Sequence, residues 1–214
     1  MKKVMFVMLA GAAILLLSCD IFGGKEENYF PTTVGSKWDY TSVILLETSG
    51  TDATPDTIQT MTINLLANKK DKLDSGEDVT EMVATVTTHI YSPTETTYTS
   101  TDTSYVQETS NAVLTYESKS DTAPDTSLVI PLAKDKTWHV NADVIAKVLD
   151  QEDITVTAGT YKKAWKIEQT VTSLADKQYY WYANNVGMVK AYWEQDYGTA
   201  KVTFSMELTS ATIK

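Results

Sequence analysis

From Trp38 to Leu208, apolar side chains return at every second position in window after window. That period suits a pleated strand with two unlike faces and does not suit an amphipathic helix. Trp38, Tyr40, Ser42, Ile44 and Leu46 share one face of a first strand, and Met61, Ile63 and Leu65 mark a second. Met82, Ala84, Val86, Thr88 and Ile90 mark a third, with Val83, Thr85, Thr87 and His89 on its other face. Shorter runs at 113–116 and 127–132 are flanked by Asp, Pro and Ser. In the last third, Trp165, Ile167, Gln169 and Val171 alternate, followed by Tyr179, Trp181 and Ala183, then Val189, Ala191 and Trp193, then Val202, Phe204, Met206 and Leu208. Residues 71–78 and the run Asn184-Asn185-Val186-Gly187 supply turn chemistry between strands, which implies antiparallel connections. The composition agrees: 33 Thr, 12 Tyr and 5 Trp are types that favour strands.

Two stretches leave the pattern open. Residues 92–103 are polar and read as a long exposed hairpin or a mobile loop. Residues 141–153 read as a capped helix clustering Val144, Ile145, Val148 and Leu149, or as a strand with Ala142, Val144, Ala146 and Val148 on one side. The strand is favoured because Ile154-Thr155-Val156 continues it without a break.

The N-terminus carries a different signal. Met1-Lys2-Lys3 is basic, and residues 4–17 form an uncharged apolar run that ends at Leu16-Leu17-Ser18-Cys19-Asp20. That order matches a secretory signal peptide, and its apolar run is shorter than the roughly 20 residues that span a bilayer as a helix. Its end resembles the lipobox of bacterial lipoproteins, with Leu16 at −3, Ser18 at −1 and the sole cysteine, Cys19, at +1. The resemblance implies that the Cys19 thiol takes a diacylglyceryl group and that the chain is cut before it. An uncleaved anchor helix or an ordinary signal peptide is the alternative. Two or three acyl chains at about 0.8 kcal/mol per buried methylene hold a protein stably at a membrane, on the non-cytoplasmic side of the envelope. The expected organisation is a signal peptide over 1–18, a lipidated cysteine and flexible tether over 19–28, and one β domain over 29–214. The tether reaches at most ~30 Å, so the domain stays close to lipid.

Removing the leader leaves 196 residues and takes the net charge from −10 to −12. A chain of that size buries roughly 70% of its unfolded surface and needs no disulfide or metal to hold a core. All 18 basic residues are Lys. So acidic a chain, without guanidinium forks, argues against nucleic-acid binding.

Three segments resemble a widespread group of uncharacterised bacterial lipoproteins, of the DUF3108-like and lipoprotein-carrier type. They are Tyr29-Phe30-Pro31-Thr32-Thr33-Val34-Gly35-Ser36-Lys37-Trp38-Asp39-Tyr40, residues 154–167 (ITVTAGTYKKAWKI) and residues 180–190 (YWYANNVGMVK). The group often has Pro at the place of Thr157 and Pro-Gly at the place of Asn184-Asn185, departures that still suit a bend and a turn. The resemblance implies a curved antiparallel sheet, a half-barrel or open barrel, and brings no established activity and no catalytic residues.

Few residues invite chemistry. His89 and His139 lie in separate strand-like segments with no recognisable partner spacing. With Cys19 consumed by lipid, no thiol remains for nucleophilic work or zinc. No Gly-x-Ser-x-Gly elbow, Walker-type loop or dinucleotide fingerprint occurs, so no cofactor is expected. Asp71, Asp74, Glu77 and Asp78 offer oxygens for a hard cation but lack the EF-hand pattern, and a solvated hairpin tip is the expected reading. Two functions remain. The favoured one is a non-enzymatic envelope lipoprotein that binds an apolar ligand or a protein partner, or serves as a structural surface component. Its candidate binding residues are Tyr179, Trp181, Tyr192 and Trp193, taken to line one concave apolar surface, with a purely structural role as the plainer alternative. The other is an envelope hydrolase acting on glycan or lipid, with Asp150 paired to Glu152 or Asp153.

Overall fold

The computed structural model describes residues 27–48, 54–91, 94–173 and 176–214. The expected signal peptide, Cys19 and all of the tether but its last two residues lie outside them. Twelve strands run in chain order: β1 (Lys37–Thr48), β2 (Asp56–Lys72), β3 (Asp78–Ile90), β4 (Thr96–Glu108), β5 (Ala112–Tyr116) and β6 (Asp125–Val129) in the first half. The second half holds β7 (Thr137–His139), β8 (Val144–Val156), β9 (Gly159–Val171), β10 (Asp176–Ala183), β11 (Gly187–Asp196) and β12 (Ala200–Thr212). The stretch that admitted helix or strand is therefore mostly strand, and the polar stretch after residue 92 leads into β4. Among the described residues there is no helix, and so none long and apolar enough to cross a membrane.

The strands form one sheet in the order β6-β5-β4-β3-β2-β1-β12-β11-β10-β9-β8-β7. Every neighbouring pair is antiparallel. The first and last strands zip together, and the seam of this nearly closed barrel falls between β6 and β7. Hydrogen bonds bridge the seam. Thr126 N–H donates to the Val140 carbonyl (2.8 Å), Trp138 Nε1 to the Thr126 carbonyl (2.9 Å), and Asn141 Nδ2 to the Asp125 carboxylate (3.2 Å).

Register assigns the faces. Tyr40 stands opposite Ile63 on β2 and Leu208 on β12, and Ser42 opposite Met61 and Met206. Residues directly opposite in an antiparallel pair share a face. The inner face therefore continues through Ala191 and Trp193 on β11, Tyr180 and Tyr182 on β10, Ile167 on β9 and Val148 on β8. Ala146, Val148, Ile167, Val189 and Leu208 are completely buried there.

The core fills one end of the barrel. Before β1, residues 29–36 cross that end as a plug. Trp165 Nε1 donates to the Tyr29 hydroxyl (3.1 Å), and Gly35 and Ser36 exchange backbone bonds with Ala67. The β10–β11 turn closes over the plug, with Asn185 N–H on the Asn28 carbonyl (2.7 Å) and Trp38 Nε1 on the Val186 carbonyl (2.6 Å). Gly187 in this turn has φ 101°, and Trp38 Nε1 and Pro31 Cδ both lie 3.6 Å from where a Cβ would stand. Glycine is needed there for conformation and for close approach. The β8–β9 hairpin completes the seal: Ala158 N–H reaches the Leu208 carbonyl (3.0 Å), and Val156 and Tyr161 pack into the core. A smaller second core of Leu73, Val79 and Tyr116 gathers where the β2–β3 hairpin meets β5.

Candidate functional site

An opening lies at the sealed end, just before the plug in the chain. Beside Glu27 and Asn28, where the described chain begins, lies a cleft of about 600 Å³ lined by Glu108, Thr109, Ser110, Val113, Ile130 and Asn185. Its walls come from the β4–β5 turn, the β10–β11 turn and the end of β6. A second opening of about 230 Å³ adjoins it through the shared Glu108, bounded by Thr32, Lys70, Asp78 and Val79. Thr32 ties the two together, since its hydroxyl donates to Glu108 while its carbonyl accepts from Thr80 Oγ1 (3.3 Å). The rim is polar and acidic, and Val113 and Ile130 supply apolar wall. Neither Glu27 nor Glu108 was singled out by the sequence, because an isolated acid carries no pattern that marks it as rim.

Around the plug the tyrosines are held neutral. Burial, aided by Glu27, pushes the Tyr29 hydroxyl up to about 12, and burial raises Tyr40 and Tyr182 further. Their role at neutral pH is packing and hydrogen bonding, as when Tyr40 donates to the Met188 carbonyl (3.0 Å).

The four aromatics expected to line one surface divide between two. Tyr192 stands opposite Tyr179 across the β10–β11 ladder, and both share the outer face with Trp181, whereas Trp193 stands opposite Gln178 on the inner face. Trp181 is only 6% exposed. Lys166 and Lys190 lie over its ring at 4.9 and 5.9 Å, and its Nε1 donates to Glu152 (2.5 Å). Trp193 stacks on Phe204 with centroids 6.1 Å apart, and borders a cleft of about 130 Å³ with Asp176, Gln178 and Tyr197 at the opposite end of the barrel.

The acids considered for hydrolysis are each engaged elsewhere. Lys134 binds Asp150 (2.5 Å) and Lys162 binds Asp153 (2.6 Å), and these contacts hold both carboxyls below the usual range. A general acid needs the opposite shift. Glu152 accepts from the Trp181 indole instead. His89 contacts Glu95 (3.2 Å) and Thr97 (2.7 Å) beside Tyr91, and His139 is exposed on β7. In the 71–78 hairpin, Asp71 faces Lys119 (2.8 Å) and Lys69 (3.2 Å), and Asp78 faces Lys72 (2.6 Å). Among the described residues no group of three His, Cys, Asp or Glu side chains is placed to hold a metal ion.

Comparison with known proteins places this geometry in context. The family model described as DUF3108-like matches residues 24–206. A crystal structure of a candidate lipoprotein from Parabacteroides distasonis ATCC 8503 is similar at 15% identity and a TM-score of 0.46, over 88% of this chain and 100% of that one. A candidate exported protein with a YmcC-like fold from Bacteroides fragilis NCTC 9343 is similar at 11% identity and a TM-score of 0.39, over 87% of this chain and 99% of that one. No curated protein matches the chain.

Proposed function

The chain belongs to the DUF3108-like family, and we propose that it is a lipid-anchored, non-enzymatic protein of the bacterial cell envelope that holds an amphipathic ligand in the cleft beside its own N-terminal plug. The observation that carries this reading is position. The cleft of about 600 Å³ opens at Glu27 and Asn28, so a tether from Cys19 delivers it to the lipid surface. Its volume falls within the range of small-molecule sites, roughly 300–1,000 Å³. Val113 and Ile130 suit an apolar portion, while Glu27 and Glu108 favour a head that is cationic or rich in hydroxyls. The engagement of Asp150, Glu152 and Asp153 in contacts outside the cleft supports a binding role over hydrolysis.

Two measurements test the reading. The chain labelled with radioactive palmitate should carry the label, and Cys19→Ala should lose both the label and the membrane association. Native mass spectrometry of the detergent-extracted chain should show a retained small molecule that is lost from Ser110→Trp, where a ring at an exposed position of the lining blocks the cleft. An unlabelled chain overturns the anchor, and retention unchanged in Ser110→Trp overturns the site.

A further inference from the structure

Strand β4 has neighbours on both sides along only part of its length. It pairs with β3 from Thr96 to Val106, but β5 covers it only from Tyr105 to Glu108. Among the described residues, the nine at 96–104 therefore present one bare row of backbone donors and acceptors, and 96–103 are exposed on both faces. Natural sheets blunt such an edge with lysines, prolines, bulges or brevity. The strands flanking the seam show those devices. β6 and β7 are five and three residues long, and β8, where it outruns β7, carries two register shifts together with Asp150, Glu152 and Asp153. Edge β4 shows none of them. Its ladder to β3 has no register shift, and Thr96-Thr97-Tyr98-Thr99-Ser100-Thr101-Asp102-Thr103-Ser104 contains no proline, no glycine, no lysine and one charge.

We propose that this edge pairs with the same edge of a second copy of the chain, antiparallel about a two-fold axis at Ser100, joining two barrels through one continuous sheet. A strand of nine residues forms the most backbone bonds with itself when its middle residue lies on the axis, because no residue then overhangs. Centred so, the sequence is self-complementary. On the outer face Thr99 meets Thr101 and Thr97 meets Thr103. Those are pairings of the kind this sheet already makes between β3 and β4, at Thr87–Thr99 (3.0 Å) and Thr85–Thr101 (3.4 Å). On the inner face Tyr98, 53% exposed, meets Asp102, so the hydroxyl gains an acceptor. The two Asp102 carboxylates then stand ~14 Å apart along the strand, beyond a Debye length, and do not repel appreciably. The pairing points the two sealed ends in opposite directions, so both anchors meet one membrane when the pair lies along it. It does not depend on what occupies the cleft.

Cysteine cross-linking of the full chain in membranes tests both the pairing and its register. The wild-type chain gives the baseline for Cys19. Oxidation of Ser100→Cys with copper phenanthroline should shift the band to twice the monomer mass on a non-reducing gel. Thr97→Cys alone should stay at the monomer mass, since two copies of residue 97 lie ~20 Å apart in this register. Thr97→Cys co-expressed with a differently tagged Thr103→Cys should give the mixed dimer. The proposal is overturned if Ser100→Cys remains monomeric, if Thr97→Cys alone cross-links as well as Ser100→Cys, or if the adduct has a mass other than twice the monomer, which would assign the edge to a different protein.

Discussion

Strands β1 to β4 run through two environments within one sheet. At the sealed end Tyr29, Trp38 and Tyr40 are at most 4% exposed, whereas β4 from 96 to 103 is exposed throughout. Backbone ladders run through both ends, although β4 at 96–104 lacks the second neighbour it has at 105–108. What differs is coverage. Only at the sealed end do elements distant in sequence, the plug at 29–36, the β10–β11 turn and the β8–β9 hairpin, converge on the inner face. Packing there is dense enough that each large ring is held by several neighbours, and the stability of the fold is expected to concentrate in that half. The open half is held by its ladder and by threonine pairs.

Substitutions along this gradient test it, and the largest effect is expected at its buried extreme. Trp38→Ala removes a ring 3% exposed and its bond to Val186, and should lower the unfolding free energy by about 3–5 kcal/mol in denaturant titration. A loss near that of a surface substitution would show that the sealed end is not part of the cooperative core. Next comes Gly187→Ala, where a side chain at φ 101° against Trp38 and Pro31 should cost about 1–3 kcal/mol. Ser42→Ala should do the reverse. Its hydroxyl is completely buried and has no hydrogen-bond partner among the described residues, so removing it should stabilise the chain by about 1 kcal/mol. A loss instead would mean that a water or ligand satisfies that hydroxyl. In the open half, Thr87→Ala should change stability by less than about 0.5 kcal/mol, despite losing its bond to Thr99.

The smallest effect is expected from acid. Lys119 beside Asp71, with Lys69 and a backbone bond from Lys72 adding to it, holds that carboxyl well below its ordinary value. A lowered folded-state value means that the pair's stabilisation is present above the unfolded carboxyl value of about 3.9 and fades as pH falls from there through the depressed folded value. Asp71→Asn should flatten that part of the stability–pH curve and lower stability at neutral pH by the same small amount, because its lysine partners are largely solvent-facing and the pair is screened. An unchanged acid slope would assign it to other carboxylates.

Much of the fold was legible because alternation maps directly onto burial. Trp38, Tyr40 and Ser42 are buried on the face expected of them, and the meander from β9 to β12 follows the four alternating runs. The pattern failed where both parities carry the same chemistry. At Tyr179-Tyr180-Trp181-Tyr182 every residue is aromatic, so period two names no inner face, and the structure turns Tyr180 and Tyr182 inward and Tyr179 and Trp181 outward. Parity did separate Tyr192 from Trp193, as adjacent residues of a strand must be. The cleft was not legible at all, because its walls come from turns and strand ends near 27, 109, 130 and 185 that meet only when the barrel closes.

The sequence by itself determined that this chain makes antiparallel sheet, and where most of its strands lie, because strand formation and facing depend on residues one or two positions apart. It also set the single cysteine at the end of an apolar run. Only the tertiary structure decided which strands close the ring, which end is plugged, how much of β4 lacks a second neighbour and where the clefts open. Those depend on contacts between residues as far apart as Tyr29 and Trp165, whose meeting leaves no local period in the chain.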